Sequence, residues 1–574
     1  MGQALSYLSI SVSTIDKTTI PTFVKPPTEL NIEYVFDFHL ENNPTYTAFQ
    51  HPDSTQSGTM RYYTYAEVVP AIHRAGGLIS TSIGRQDIQS DTSPVVAVFA
   101  EINNLTYATH LLGLLRAGIT AFLISPRFHS TVVAELLRMA RPTHVLVSDN
   151  LRDIALQAVS DMHATKSSSD EVVPVVVDLP PHEKLYPGHN SFDRLPRHHE
   201  NFSKKSLIVH SSSSTSSCPK IIPWTSNYIR ANSIGIAPSK EYSDVNFEGK
   251  VLGGQSAEFF HTAGLYILFG MPRVGFIMAV MPPADPRAVI PANRDMVYEG
   301  YKQSQIDIGW ASPRFLEAWS KEPENISYLS NLDCIIYGGS ALSKAAGDKL
   351  SSHGVKLCNA YGATEVGAIS KFVSEPQTTD WEYFNLNPGI NYELLPREDG
   401  LFEAVIVYQK GYHEIPVCEV EWKGKPAYAC GDLLTPHPIK RNFYKVVGRN
   451  KDMILLSSGQ AVNPVYIEDA LRAHPDIKDA VIFGQGRPFL GILVSPNPSA
   501  PVLGKDREAM CDRIWAVIEE YNKTLPDYSR LRKEAFLLSD VARPFLYGEK
   551  GLSKRSLILD EYRDEVEKCY MNLL

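Results

Sequence analysis

What this 574-residue sequence has little of narrows it first. Its seven cysteines are sparse and odd in number, and no two form a CxxC pair, so a disulfide-stapled framework is excluded. The thiols read as reduced, and the expected compartment is the cytoplasm. Basic residues are outnumbered, 55 Lys and Arg against 64 Asp and Glu, for a net charge of −9. With no basic patch standing out, nucleic acid is not an expected partner. Long apolar runs are also missing. The longest, such as 93–100, have strand length, well short of the roughly 18 residues a membrane helix needs, so no transmembrane segment is expected. The N-terminus lacks the basic and apolar regions of a signal peptide. It reads Met1-Gly2-Gln3-Ala4-Leu5-Ser6, which fits the loose N-myristoylation pattern, and one such chain anchors only weakly. A hydrophobic share of 44% with 21% charged residues is that of an ordinary globular protein.

What is present has an α/β rhythm. Residues 94–100 (PVVAVFA) form a continuous apolar run, Asn103 or Asn104 offers an N-cap, and Leu105, Ala108, Leu111, Leu112 and Leu115 follow at helical spacing. Gly118 stops the helix and 119–124 is a second strand, a βαβ unit that implies a parallel sheet covered on both faces. Further apolar strands are predicted at 144–147, 172–177, 207–209, 334–337 and 355–358. Ligands of such sheets sit at the carboxyl ends of strands, which directs attention to the loops after Val209, Tyr337 and Cys358. After about Lys440 the elements shorten, with alternation at 445–447 and 453–456, suggesting a smaller α+β domain from about Gly448. Its last stretch places Leu559, Tyr562, Val566, Tyr570 and Leu573 on one face of a single capping helix.

Three segments carry chemistry. His210-Ser-Ser-Ser-Ser-Thr-Ser-Ser-Cys-Pro-Lys220 follows a strand; its backbone N–H groups and hydroxyls can wrap polyphosphate, and Lys220 adds a point charge. Asn359-Ala-Tyr-Gly-Ala-Thr-Glu-Val-Gly367 ends a strand in a tight turn whose aromatic, hydroxyl and carboxylate can stack a base, bind a phosphate oxygen and hold Mg²⁺. In Tyr428-Ala-Cys-Gly-Asp-Leu433 an Asp at a strand end can accept both hydroxyls of a ribose, and Gly448-Arg449-Asn450-Lys451-Asp452 follows at the proposed junction.

In order and spacing these segments resemble the adenylate-forming superfamily of acyl-CoA synthetases, luciferases and peptide-synthetase adenylation domains. The serine loop is similar to that family's TSGTTGxPK, Tyr361–Glu365 (YGATE) to its YGxTE, Gly431-Asp432 to TGD, and Gly448-Arg449 to its GR hinge. Phe260-His-Thr-Ala-Gly264 resembles FHxxG of the acyl-binding wall, and Gly338-Gly-Ser-Ala-Leu342 resembles GGAPL. Asp380-Trp-Glu-Tyr-Phe384, His437-Pro438 and the stretch 457–464 look most like fungal adenylate-forming reductases, whose adenylation domain feeds a carrier and a reductase domain.

The resemblance implies a large adenylation domain of layered sheets and helices over 1–447 and a small rotating domain over 448–574, joined by a hinge. It implies ATP and Mg²⁺ as cofactors, a small carboxylic acid as substrate, and CoA or a phosphopantetheine carrier as thiol acceptor, in fungal secondary metabolism. By position, Ser212, Ser213, Thr215, Ser216 and Lys220 bind the β- and γ-phosphates, and Tyr361 with Gly362 holds adenine. Thr364 binds the α-phosphate, Glu365 holds Mg²⁺, and Asp432 and Arg449 take the ribose. His261 and Gly338 line the acyl site, and Lys451 is the hinge. The lysine on the carboxylate and α-phosphate falls at Lys550, with Lys554 as the alternative.

Two departures matter. Aligned back from Lys220, the family's loop glycines fall on Ser214 and Ser217, where serine in a left-handed conformation costs about 1–2 kcal/mol. Cys430 replaces the usual Thr. A degenerate, scaffold-like relative is therefore the competing expectation. Because His261 is not an acid, a plain aryl, alkyl or keto acid is expected in preference to an α-amino acid. No carrier-like LGxDS stretch occurs, and about 20 residues follow Arg555. The chain is therefore expected to stop at the acyl-adenylate or to pass it to a thiol supplied in trans, and Gly459, on the pantetheine path of relatives, favours the second step.

Overall fold

The computed structural model describes residues 21–571 apart from 54–57, 86–92, 165–171, 190, 199–200, 212–218, 236–242, 284–288, 291, 375–378, 398–399, 411–413, 499–506, 541 and 549–550. Ser212, Ser213, Thr215 and Ser216 of the expected phosphate loop, the expected lysine Lys550 and the N-terminal acylation pattern therefore lie outside the described residues.

The first sheet runs, edge to edge, Val175–Asp178, His144–Val147, Val95–Phe99, Thr120–Ile124, Lys205–His210 and Ile221–Thr225. All neighbours pair in parallel except the last two, which pair antiparallel. The unbroken run of apolar residues at 95–99 is explained by two-sided burial: Val96 and Val98 enter the main core, whereas Ala97 and Phe99 enter a second core on the other face. The crossover helix Asn104–Arg116 is buried along its length, and the Asn103 side chain caps it by accepting the Thr106 N–H at 2.9 Å.

The second sheet runs Leu357–Ala360, Cys334–Gly338, Ile308–Ala311, Val251–Gly253, Ile277–Ala279, Thr47–Pro52 and Met60–Thr64, parallel until its final antiparallel pair. The main core is shared by this sheet, one face of the first sheet and the helices on them. A third, antiparallel sheet orders Phe384–Asn385, Phe443–Arg449, Lys425–Pro436, Phe402–Val407 and Tyr392–Pro396. The alternation at 445–447 belongs to this sheet, whose strand runs on through Arg449.

C-terminal to this, Ile477–Phe483, Leu490–Pro496 and Leu531–Leu538 form a small sheet with its own cores against the helices Pro464–Arg472, Arg507–Asn522 and the C-terminal pair. The chain is thus a mixed α/β protein with a large N-terminal part and a small α+β C-terminal part. Among the described residues no helix is long and apolar enough to cross a membrane.

One expectation is corrected. The single helix read from 557 onward is two helices, Arg555–Glu561 and Arg563–Met571. They part at Tyr562, whose backbone (φ −107°, ψ 19°) leaves helical values although its N–H still donates to the Ile558 carbonyl; its phenol accepts the Asp540 N–H at 2.7 Å and donates to the Arg543 carbonyl at 2.6 Å. Leu559, Tyr562, Val566 and Tyr570 still share one cluster, and Leu573 lies outside the described residues.

Candidate functional site

The strand ends converge. Lys205–His210 delivers His210 and Ser211, and the antiparallel neighbour begins just after Lys220. The Ser211 N–H donates to the Lys220 carbonyl at 2.9 Å, and the Lys220 N–H donates to Ser211 Oγ at 3.1 Å, closing the base of the segment that contains 212–218. Burial pushes the His210 imidazole down to about 4, so it is neutral at physiological pH. Its Nδ1–H then faces the Ser211 carbonyl at 3.1 Å while Nε2 accepts the Ser125 N–H at 3.1 Å. His210 thereby ties the loop base to the loop after Thr120–Ile124. Lys220 Nζ forms an ion pair with Glu419 Oε1 at 2.9 Å, with the two side chains 70% and 50% exposed. A pair that exposed is worth at most about 1 kcal/mol, so a polyphosphate can displace it. Glu419, together with a smaller contribution from Glu365, raises the Lys220 ammonium and keeps it cationic.

The parallel pairing of Cys334–Gly338 with Leu357–Ala360 sets Gly338 opposite Ala360, and a side chain at 338 would run into the Ala360 carbonyl. Tyr361 follows. Its ring stacks on Phe384 at 4.7 Å and 21°, and its O–H donates to Asp432 Oδ2 at 2.8 Å. Burial first, then the Asp432 charge, hold the phenol far above its usual range, so it stays a donor. Asp432 and Arg449 face each other in register on adjacent strands, with Arg449 Nε 3.1 Å from Asp432 Oδ1. The Asp432 carboxylate thus joins the Tyr361 phenol and the Arg449 guanidinium at one point. Asp432 lies inside the strand Lys425–Pro436 rather than at the expected strand end; just before it Gly431, at φ 72°, sits where the pairing with Phe402–Val407 is irregular, and its N–H donates to Glu403 Oε1 at 2.9 Å. Gly362–Ala363 and Gly367–Ala368 form a small hairpin whose turn carries Thr364 and Glu365, both half-buried.

His261 caps the buried helix Thr262–Val274, its ring 6.1 Å from His210 and its Nε2 3.4 Å from Glu258 Oε2. Lys451 lies in the 3-10 turn Asn450–Asp452 directly after the Arg449 strand; burial, then the Arg449 cation, lower its ammonium. Next to the undescribed Lys550, Gly551 (φ 71°) packs its α-carbon against the Arg314 guanidinium, and the Lys554 N–H donates to the Leu546 carbonyl at 2.8 Å.

The structure therefore brings together Lys220, Gly338, Tyr361, Gly362, Thr364, Glu365, Asp432 and Arg449, with His261 reached through His210. Sequence reasoning assigned no role to Glu419, Glu403, Glu258 or Arg127. Glu403 left a signal, since it interrupts the apolar strand 402–407 (FEAVIV) at a position that is buried. Glu419 left none, because its contact spans 199 residues.

Residues 36–391 match the AMP-binding enzyme family and residues 451–573 the AMP-binding enzyme C-terminal domain. The chain is 32% identical over 565 residues to the adenylate-forming reductase Nps10 of Heterobasidion annosum, covering 96% of this chain and 50% of that protein. It is 25% identical over 521 residues to a carboxylic acid reductase of Neurospora crassa, covering 88% and 47%. The chain thus spans about half the length of the curated relatives it matches. Among solved structures, the A domain of a carboxylic acid reductase from Segniliparus rugosus, in complex with AMP and a co-purified carboxylic acid, superposes with a TM-score of 0.68 at 15% identity over 95% of each chain. ATP-bound MatB from Rhodopseudomonas palustris gives 0.67 at 17% identity, over 94% of this chain and 100% of that one. These two share the fold.

Proposed function

This chain belongs to the AMP-binding enzyme family of adenylate-forming enzymes, and from that premise we propose that it activates a carboxylic acid with ATP. The acid's carboxylate attacks the α-phosphorus, the bond to the β-phosphate oxygen breaks, and an acyl-adenylate and pyrophosphate result. The observation that carries this reading is the set Tyr361–Asp432–Arg449: a stacked aromatic just after a parallel strand of the second sheet donates to a carboxylate of the third sheet that also pairs with Arg449, while Glu365 of the following turn contributes to keeping Lys220 cationic.

In this reading Tyr361 and Gly362 hold adenine, Asp432 and Arg449 the ribose, and Thr364 the α-phosphate. Lys220 leaves Glu419 for the β- and γ-phosphates, which Ser212, Ser213, Thr215 and Ser216 also bind. The catalytic difficulty is the approach of one anion to another, and fixed positive charge lowers it. Lys550 supplies that charge beside the reacting carboxylate. Glu365 suits Mg²⁺: it is a half-buried carboxylate with no ion pair among the described residues, and Mg²⁺ is ordinarily held by one or two carboxylates plus substrate phosphates. When bound, the ion neutralises phosphate charge.

His261 and Gly338 line the acid. Lys451, at a junction near 447/448, is the pivot about which the small domain turns to admit a thiol, from CoA or from the phosphopantetheine of a carrier. The Nps10 and carboxylic acid reductase relatives support an acid substrate. ATP–pyrophosphate exchange over a panel of aryl, alkyl and keto acids tests the proposal. Exchange with none of them, together with absent ATP binding, transfers support to a scaffold function.

A further inference from the structure

Beside His261 stands a charge pair that the proposed roles leave unused. Glu258 begins the turn that leads into the helix Thr262–Val274, and the His261 N–H donates to its carbonyl at 3.0 Å. Gly264 is required there, because a side chain at 264 would collide with that same carbonyl. The Glu258 backbone is therefore fixed at the start of this turn. Arg127, from the loop after Thr120–Ile124, grips it with both guanidinium nitrogens: Nη1 lies 3.2 Å from Oε2, and Nη2 contacts Oε1. The guanidinium also lies over the Phe260 ring at 5.6 Å. Glu258 Oε2 is in turn 3.4 Å from His261 Nε2. All three side chains are only one-fifth to one-third exposed, at 31% for Arg127, 22% for Glu258 and 20% for His261.

We propose that Arg127 is a specificity-determining residue, whose guanidinium cancels the Glu258 carboxylate at the acyl wall so that acids without a positive charge are accepted and ammonium-bearing acids are not. The inference rests on the adenylation reading and on His261 marking the acyl wall. The physical basis is charge balance. Arg127 and Glu258 together are neutral, and a substrate carboxylate approaching His261 meets no net repulsion. An ammonium group gains nothing, because the carboxylate that could receive it is already bound in bidentate fashion by a fork that matches it. Without Arg127, Glu258 loses the bidentate guanidinium that balances its charge, and the acyl wall becomes more negative. It then repels a plain carboxylate and attracts an ammonium.

The test uses matched acids that differ only in an α-ammonium group: 3-phenylpropanoate with phenylalanine, and butanoate with 2-aminobutanoate. Pyrophosphate exchange is measured for the unmodified chain and for R127Q, R127K, E258Q and R127Q/E258Q, each checked for folding by thermal melting. R127Q should raise the kcat/KM ratio of amino acid to plain acid about tenfold. R127K, which keeps the charge, should leave the ratio close to that of the unmodified chain. E258Q should not raise it, and the double variant should return it. Exchange by the unmodified chain with an unchanged ratio in R127Q overturns this inference alone. So does an equal shift in E258Q. A chain that exchanges with no acid at all overturns the adenylation reading and this inference with it.

Discussion

Replacing Asp432 with Asn keeps the side-chain volume and removes the charge at the centre of the proposed ribose site. In the structure that carboxylate accepts from Tyr361 O–H at 2.8 Å and from Arg449 Nε at 3.1 Å. Hydrogen bonds to a charged group contribute about 1.5–3 kcal/mol each. Asn keeps one acceptor oxygen and presents an NH₂ where the second was. One of the two donors, or one ribose hydroxyl, then loses its partner. The expected loss in ATP affinity is about 1.5–3 kcal/mol, or roughly 10- to 100-fold. Calorimetric titration with ATP gives the affinity, and the ATP KM in pyrophosphate exchange gives the same quantity under turnover. 2′-Deoxy-ATP and 3′-deoxy-ATP complete a cycle. Each should bind the unmodified protein more weakly than ATP, and at least one of the two should lose most of that penalty in Asp432→Asn, because that hydroxyl's partner has already gone. Unchanged ATP affinity, or deoxy penalties that simply add to the substitution, would refute the assignment of Asp432 to the ribose.

Other outcomes follow from the same geometry. Lys550→Ala should cut adenylate formation by two or more orders of magnitude with ATP binding nearly intact. Normal adenylation there and its loss in Lys554→Ala would move the role to Lys554. Gly367 has φ 84°, and a β-carbon there would lie 2.5 Å from Asn232 Oδ1 and 2.6 Å from Tyr228 Oη. Gly367→Ala should therefore destabilise the protein by at least about 1–2 kcal/mol and impair Mg²⁺-dependent turnover through the Thr364–Glu365 turn, as read by urea unfolding and a Mg²⁺ titration. Stability should also fall in acid. Burial lowers His39, His110 and His210 from 6.5 to about 4, so the unfolded chain binds more protons between those values. Their contribution is complete above pH 6.5 and is lost as pH falls towards 4, by about 3 kcal/mol for each group. Buried Glu468 and Asp479, whose carboxyls are raised, act in the opposite sense. The urea midpoint should still drop between pH 7 and pH 5, and a flat or rising midpoint would count against the three buried imidazoles.

Much was legible in the residues alone, and the reasons are local. The run at 95–99 had to be a strand buried on both faces, because nothing polar interrupts it. A cap was legible at Asn103 or Asn104, because side-chain acceptors stand just before a helical apolar pattern, and the structure selects Asn103. The YGATE segment marked a strand end because glycine and small polar residues end strands, whereas Gly431-Asp432, read as another strand end, lies inside the strand Lys425–Pro436. What sequence could not supply was partnership across the chain. Tyr361 and Asp432 are 71 residues apart, and only the packing of the third sheet against the second joins them. Lys220 meets Glu419 across 199 residues. Arg127 reaches Glu258 across 131 residues because two different sheets end on the same side of one core. In the C-terminal helix pair periodicity gave the correct apolar face, yet not the change of backbone at Tyr562 (φ −107°, ψ 19°) that parts the two helices. Hydrophobic periodicity and turn chemistry act over a few residues, so the sequence by itself determined the elements and the polarity of their ends. Charge pairing and hydrogen bonding in the site act through space, and only the tertiary structure decided which carboxylate each cation meets.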